Sequence, residues 1–304
     1  MPKKRPAAAE LSRLTVLAAG DERTFAAYAI ELLRTNSRLT REAALTALAD
    51  RPVAAARDAL RELYFELDED GAKRDQGAAM RVGIVRVLAT IGDVRDTEIA
   101  VRATDAFEEI LGDDVSWPLR VHGLRMLAHL SPEMFAYYAI EHLDDRTPLR
   151  SEPANTAFQL LAGRGNYAPI YQWLISGERE PEVVANAFEM LTDAPREILR
   201  RYVARVIEVA IRRNDEPMST VLAETIVRLE LEDAYPALGR MMSSKLSDEL
   251  YNYLALLLAG TNRAPMLAIL EQQLHSGRRP TIVVAALRVR TTPEQAAILR
   301  RWEE

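Results

Sequence analysis

A capping or turn-forming residue recurs along the chain, each time between two stretches whose apolar residues have helical spacing. The spacing of these residues averages about 35 residues, a period that suits a unit of two helices joined by a turn. Units of this kind bury their apolar faces by stacking on one another. The pattern therefore predicts an all-α fold, organised as an α-solenoid of about eight helical hairpins. The eight turn residues are Asp50, Asp93, Ser131, Asn166, Asp193, Asp233, Asn262 and Thr292.

The residues around these turns have the chemistry of helix ends. Ser131 is followed by Pro132, and Thr292 by Pro293. A side-chain oxygen at such a position accepts hydrogen bonds from free backbone amides, and proline fits the first helical turn. No stretch alternates polar and apolar residues over a useful length, so we predict no strands. We expect a flexible tail at residues 1–10 and one continuous repeat domain at residues 11–304.

The first helix of each predicted hairpin is rich in small and aliphatic residues, as in RVGIVRVLATIGD, VVANAFEMLTD and YNYLALLLAG. An apolar helix, a short turn containing Asp or Pro and a second helix make this pattern resemble the HEAT-repeat family of armadillo-like α-solenoids. The resemblance covers roughly residues 38–302, and residues 81–109 match it best. It implies a right-handed superhelix. It also implies an adaptor or assembly role, because most members of the family are interaction modules.

Composition narrows the classes of function. The chain has 304 residues, of which 48% are hydrophobic, and its net charge is −6. This balance predicts a soluble folded protein and argues against nucleic acid as the main partner, since phosphate binding needs clustered basic residues. The absence of cysteine excludes disulfides and thiolate sites. No segment reads as a signal peptide or a membrane span, so we expect a cytoplasmic protein, and its arginine bias suggests a bacterial one.

No familiar catalytic or cofactor motif is present in the sequence. Gly163, Gly165 and Ala168 have dinucleotide-binding spacing, but a helix rather than a strand precedes them, so we interpret them as a turn. His122 and His129 lie seven residues apart, or about 10.5 Å along a helix, which is too far for one metal ion to bind both. We therefore predict no enzyme activity, no metal and no cofactor.

Aromatic residues are concentrated in the middle of the chain, between residues 117 and 173. Large aromatic side chains near arginine are typical of interface hot spots, although they also fill cores. Tyr171 and Trp173 lie two residues apart on a predicted helix, so they cannot both face the core well. The aromatic candidates for partner binding are Trp117, Tyr137, Tyr138, Tyr171 and Trp173.

The segment PREILRRYVARVIEVAIRR, residues 195–213, has a broad apolar face and one charged stripe. The stripe contains Arg201, Arg205 and Arg212 together with Glu208, at the spacing of one helix face. It is either a solvated face or a contact for an acidic ligand. Acidic residues also gather between the hairpins, where they are either solvated or bind a cation or a basic partner. These groups lie at 66–70, 113–114, 144–145, 178–182 and 215–216.

These observations favour a non-enzymatic scaffold that binds a protein or peptide partner on the concave surface of the solenoid. One alternative is a HEAT-like nucleic-acid-binding module, similar to the DNA glycosylases of the alkylpurine type. Another is a HEAT protein similar to the phycobilin lyases. The overall acidity departs from the first alternative, and no pigment-handling residue supports the second. The oligomeric state stays open.

Overall fold

The computed structural model describes residues 7–147, 150–177, 180–276 and 279–304. The chain divides into two compact units, Met1–Leu160 (unit 1) and Leu161–Glu304 (unit 2). Helices form nearly all the secondary structure of the described residues, which confirms the all-α prediction. Residues 1–6 of the predicted tail lie outside the described residues, and Ala7–Glu10 begin the first helix.

Unit 1 contains consecutive helices in which next-but-one neighbours pack together, notably the third on the first and the sixth on the eighth. Asp21 and Ser37 begin the second and third helices, each accepting a hydrogen bond from a backbone amide three residues later. The helices are α1 (Ala7–Ala18), α2 (Glu22–Leu33), α3 (Arg38–Asp50), α4 (Arg57–Asp68), α5 (Gly71–Arg74), α6 (Ala79–Ile91), α7 (Thr97–Thr104), α8 (Trp117–Leu130), α9 (Pro132–Glu141) and α10 (Ala154–Gly163), the last of which includes the point of division.

Unit 2 has a regular packing order. Its even-numbered helices from α12 to α18 pack on one another in succession, and so do its odd-numbered helices from α11 to α19. This order places two rows of helices side by side within the unit. The helices are α11 (Tyr167–Ser176), α12 (Pro181–Leu191), α13 (Arg196–Arg213), α14 (Glu216–Arg228), α15 (Tyr235–Met242), α16 (Asp248–Thr261), α17 (Ala264–Ser276), α18 (Pro280–Val289) and α19 (Pro293–Glu303).

The predicted turns are where the sequence pattern placed them. Each of the eight turn residues lies in, or at the edge of, a break between two helices. Asp93 and Thr292 form capping boxes, in which the side chain of each accepts a hydrogen bond from a backbone amide of the following turn. Local capping chemistry therefore sets where the chain becomes helical after these two turns.

Two short antiparallel strand pairs in unit 1 depart from the prediction of no strands. Strand β1 (Glu109–Ile110) pairs with β2 (Asp113–Asp114), and β3 (Arg146–Thr147) pairs with β4 (Arg150–Pro153). Strands this short cannot show a measurable alternation of polar and apolar residues. The pair β1–β2 is defined by a tight turn and its hydrogen bonds, rather than by a buried face.

Candidate functional site

A groove between α11 and α13 in unit 2 brings together several of the predicted binding residues. Its first feature is an aromatic pair, in which the rings of Tyr171 and Tyr202 stack with centroids 4.2 Å apart and planes 7° from parallel. Both side chains are half-buried. Part of the pair is therefore open to a partner, and stacked tyrosines offer a rigid apolar surface with few rotatable bonds.

A cavity of about 330 Å³ lies along the same two helices, and we call it the arginine cavity. Arg205, Arg212 and Arg213 surround it, with Ile175 and Val209 as its apolar lining. Ile175 follows Tyr171 by four residues, and Val209 follows Tyr202 by seven, so each lies on the same helix face as the corresponding tyrosine. The aromatic pair and the arginine cavity are thus two parts of one groove.

The backbone of α11 holds one arginine of the cavity in place. Arg213 Nη1 donates to the carbonyl oxygen of Gly177 at 2.8 Å, and its Nη2 donates to that of Ile175 at 2.9 Å. The carbonyl groups at a helix C-terminus carry partial negative charge, which attracts a cation. The Arg213 side chain is therefore held in place by neutral backbone acceptors.

Among the described residues, Arg205, Arg212 and Arg213 have few acidic partners. Arg205 makes one exposed contact with Glu208, at 3.4 Å, and Arg212 donates to the backbone carbonyl of Glu208 at 3.3 Å. No ion pair to Arg212 or Arg213 occurs among the residues that the structure describes. Guanidinium groups without a carboxylate partner bind carboxylate or phosphate oxygens well. The cavity is suited to an anionic group next to an apolar one.

The predicted binding residues of unit 2 fall into three groups: those in the groove, one exposed outside it, and one in the core. Tyr171, Arg205 and Arg212 lie together in the groove, while Arg201 is exposed on α13 outside the arginine cavity. Trp173 is only 6% exposed and belongs to the core, so it offers no surface to a partner. Its position two residues from Tyr171 turns it to the opposite side of α11, which confirms that the two rings cannot share one environment.

The aromatic candidates of unit 1 lie on α8 and α9. Trp117 is half-buried at the start of α8. Tyr137 is 61% exposed, and its ring meets the half-buried Tyr138 edge-on with centroids 5.3 Å apart. A hydrogen bond to Glu141 raises the pKa of Tyr137. Burial, followed by the negative charge of Asp105, raises the pKa of Tyr138.

Residues 105–116 form a projecting hairpin that we call the acidic finger. Strands β1 and β2 pair across Leu111 and Gly112, both of which have left-handed backbone conformations, with φ of 55° and 88°. Such turns favour Asn, Asp or Gly, and a leucine there costs roughly 1–2 kcal/mol. Leu111 is nevertheless fully exposed at the tip, and Phe107, which precedes β1, is 68% exposed. Ordinary turn preferences do not explain these two residues.

The base of the acidic finger is anchored to α8 by Arg120. This buried guanidinium donates to Asp114, to the carbonyl oxygen of Ala106 at 2.9 Å and to Asp145 at 2.7 Å. Burial alone would raise the pKa of Asp114, but hydrogen bonds from Arg120 and Ser116 outweigh it and lower that pKa. The anchor fixes the base of the hairpin while its tip stays in solvent.

The contacts of Arg120 also show that part of the acidic groups between the hairpins is neither solvated nor open to a partner. Asp114 and Asp145 belong to two of the predicted acidic groups, yet they converge on one buried arginine. Asp68, from a third group, pairs in the same way with the buried Arg81. These carboxylates pair with arginines of the protein itself and are not available to a cation or a basic partner. Glu178, from a fourth group, lies outside the described residues.

Comparisons with known proteins add no family to this picture. No protein-family model matches the chain, and a search of curated proteins found no similar one. Within the described residues, no three His, Cys, Asp or Glu side chains are grouped closely enough to hold a metal ion. None of the described helices has both the length and the apolar character needed to span a membrane. The groove of unit 2 and the acidic finger of unit 1 remain the surfaces that call for a function.

Proposed function

We propose that this chain is a non-enzymatic protein-interaction scaffold whose hairpins are HEAT-like repeats of a right-handed solenoid. The packing of next-but-one helices within each unit supports the assignment of repeats. The main support for a binding function is the arginine cavity. It combines three guanidinium groups with an apolar lining, and a stacked tyrosine pair lies on the same two helices. Its expected partner is a protein segment, and its expected compartment is the cytoplasm.

The chemistry of the groove specifies the kind of segment. Arg205 and Arg212 favour carboxylates, and the Tyr171 face favours an apolar or aromatic side chain. An acidic segment that carries one large apolar residue satisfies both requirements. A nucleic-acid backbone would satisfy only the first, and the net charge of −6 opposes its approach.

Charge reversal inside the arginine cavity tests this function. The test variant is Arg205→Glu with Arg212→Glu, and the matched control is Arg201→Glu, on the same helix but outside the cavity. Tagged wild type and both variants are used to capture partners from host lysate, with and without nuclease. We expect a stoichiometric protein on the wild type and on the control that is lost from the cavity variant.

Two results would contradict the proposal. One is recovery of nucleic acid alone, released by nuclease or salt, which would favour the nucleic-acid alternative. The other is equal capture of the same proteins by the cavity variant and the wild type. Circular dichroism of each variant shows whether helix content is preserved, so that unfolding is not mistaken for loss of binding.

A further inference from the structure

The acidic finger of unit 1 is complementary to the arginine cavity of unit 2. We infer that the partner of the arginine cavity is a second copy of this chain, whose acidic finger docks there. The inference rests on the proposed function, since it requires that the cavity accept an acidic segment. It goes further by naming the segment.

The acidic finger has a strong excess of negative charge. Five acidic residues and no basic ones lie between Arg102 and Arg120. Glu108 and Asp114 are bound by the buried arginines at the base. Asp105, Glu109 and Asp113 are exposed and make no ion pair with any described residue. Asp105 lies at the C-terminus of α7 beside Tyr138, so the projecting part carries two carboxylates, Glu109 and Asp113.

The acidic finger also exposes two large apolar residues, Leu111 and Phe107. A fully exposed leucine in a left-handed turn is disfavoured twice, by its backbone conformation and by its contact with water. Docking of Leu111 against an apolar surface would remove the second penalty. Isolated exposed apolar residues are common, but Leu111 and Phe107 lie on one short hairpin among unpaired carboxylates. A surface that binds this finger therefore needs an apolar centre and basic residues around it.

The arginine cavity has the complementary properties. Its rim carries Arg205, Arg212 and Arg213, and its lining is Ile175 and Val209. A volume of about 330 Å³ is at the lower end of the range for binding pockets. It suits the tip of one hairpin rather than a broad folded surface. Two carboxylates and one leucine thus meet three guanidinium groups and an apolar floor.

The two surfaces differ from each other, so the contact is heterologous. Each copy offers one finger and one cavity, and association head to tail gives rings or open chains. A single hairpin tip buries a small area, which indicates a weak and reversible contact. Because the rim contacts are ionic and near solvent, added salt weakens them.

Complementary single-surface variants provide the test. The finger variant is Glu109→Gln with Asp113→Asn, which removes the charge of the finger, leaves the cavity intact and creates no attraction to a cavity that carries glutamates. The cavity variant is Arg205→Glu with Arg212→Glu, which leaves the finger intact, and Arg201→Glu is again the control. Sedimentation velocity at concentrations up to roughly 100 µM covers the range of weak protein contacts.

We expect the wild type and the control to form species larger than one 34.1 kDa chain, growing with concentration. Each single-surface variant should sediment as a monomer. An equimolar mixture of the two variants should form a heterodimer and nothing larger, because only one intact finger and one intact cavity can meet. Formation of the heterodimer should decrease at about 0.5 M salt.

A monomeric wild type throughout this range would overturn the inference. So would a mixture of the two variants that stays monomeric, or variants that associate as strongly as the wild type. These outcomes differ from failure of the proposed function. A monomeric wild type that still captures a protein lost from the cavity variant leaves the scaffold standing with another acidic partner.

Discussion

The two units bury different kinds of polar side chains. Unit 1 buries charged residues, whereas the buried polar residues of unit 2, among those that the structure describes, are all neutral. Unit 1 is therefore specified partly by ion pairing in its interior, and unit 2 by apolar packing with amide and hydroxyl hydrogen bonds. The charged group is Arg41, Arg57, Asp75, Arg81, Asp96 and Arg120, and the neutral group is Ser219, Thr225, Gln273 and Gln295.

Arg81 shows what buried pairing involves. Its guanidinium contacts Asp68 and Asp75, both at 3.3 Å, and it also pairs with Glu108. Asp75 in turn accepts hydrogen bonds from the first backbone amides of α6. Burial by itself lowers the pKa of an arginine, but its hydrogen bonds and carboxylate neighbours outweigh that effect and raise the pKa of Arg81. One side chain thus joins α4, α6 and the base of the acidic finger.

Unit 2 carries ion-paired arginines on its surface. Arg228 pairs with Glu189 at 2.8 Å, and Arg301 pairs with Glu271 at 2.7 Å, with each arginine side chain more than half exposed. Exposed pairs of this kind contribute little to stability. The buried arginines of unit 1 thus serve folding, whereas the surface pairs of unit 2 add little to it.

Removing a buried arginine should have the largest effect. Arg81→Met leaves Asp75 and Glu108 without their counter-charge, whereas Asp68 keeps Arg102 as a partner. We expect this to lower the free energy of unfolding by about 3–5 kcal/mol. The matched change in unit 2, Arg228→Met, should lower it by less than about 1 kcal/mol. Urea unfolding followed by circular dichroism measures both. Similar losses in the two variants would refute the contrast between buried and surface pairing.

Close helix packing gives the second contrast. A Cβ added to Gly123 on α8 would lie 2.8 Å from the backbone nitrogen of Thr104 and 3.0 Å from the carbonyl oxygen of Ala100, both on α7. Gly123→Ala should therefore destabilise the protein by about 1–3 kcal/mol. Gly260, on α16, has nothing within 4 Å of an added Cβ. Gly260→Ala should stabilise by up to about 1 kcal/mol, and thermal melting of both variants would show whether the signs are opposite.

The smallest effect concerns pH. Burial, followed by the charges of Arg125 and Arg86, lowers the pKa of His122 in unit 1 to about 4. The unfolded chain then binds more protons than the folded one between pH 6.5 and 4, so stability falls as pH decreases through that window. The loss between pH 7.5 and 5 should be about 1–2 kcal/mol.

Two comparisons isolate this effect of pH. His122→Gln should remove the dependence of unfolding free energy on pH in that window. In unit 2, hydrogen bonds from Arg200 and Arg196 lower the pKa of Asp233 to about 2. Protonation of Asp233 therefore reduces stability only below the ordinary aspartate pKa of 3.8, outside the pH window of His122. An unchanged slope in His122→Gln would show that another group causes the acid sensitivity.

The turns and the exposed stripe of α13 could be predicted because both depend on local patterns. Asp93 and Thr292 cap the helices that follow them, and Arg205 and Arg212 are exposed where helical spacing put them. The aromatic pair could not be predicted. Tyr171 and Tyr202 are 31 residues apart, and no pattern within one helix shows that α11 and α13 will meet.

The buried arginines left a signal in the sequence that composition alone does not reveal. Arg81 precedes Ile84, Val85 and Leu88 at helical spacing, so it lies in phase with the apolar face of α6. Arg120 has the same relation to Leu124 on α8. A charged residue in phase with an apolar face predicts burial, but its partners come from other segments, and only the folded chain identifies them.

The interior ion pairs of unit 1 also change the response of that unit to heat. The hydration of charged groups carries a strongly negative entropy, so water holds them less strongly as temperature rises. The cost of keeping the Arg81 and Arg120 networks away from water therefore decreases on warming. The neutral interior of unit 2 has no comparable compensation. Heating should thus shift the balance of stability towards the half of the chain that carries the acidic finger.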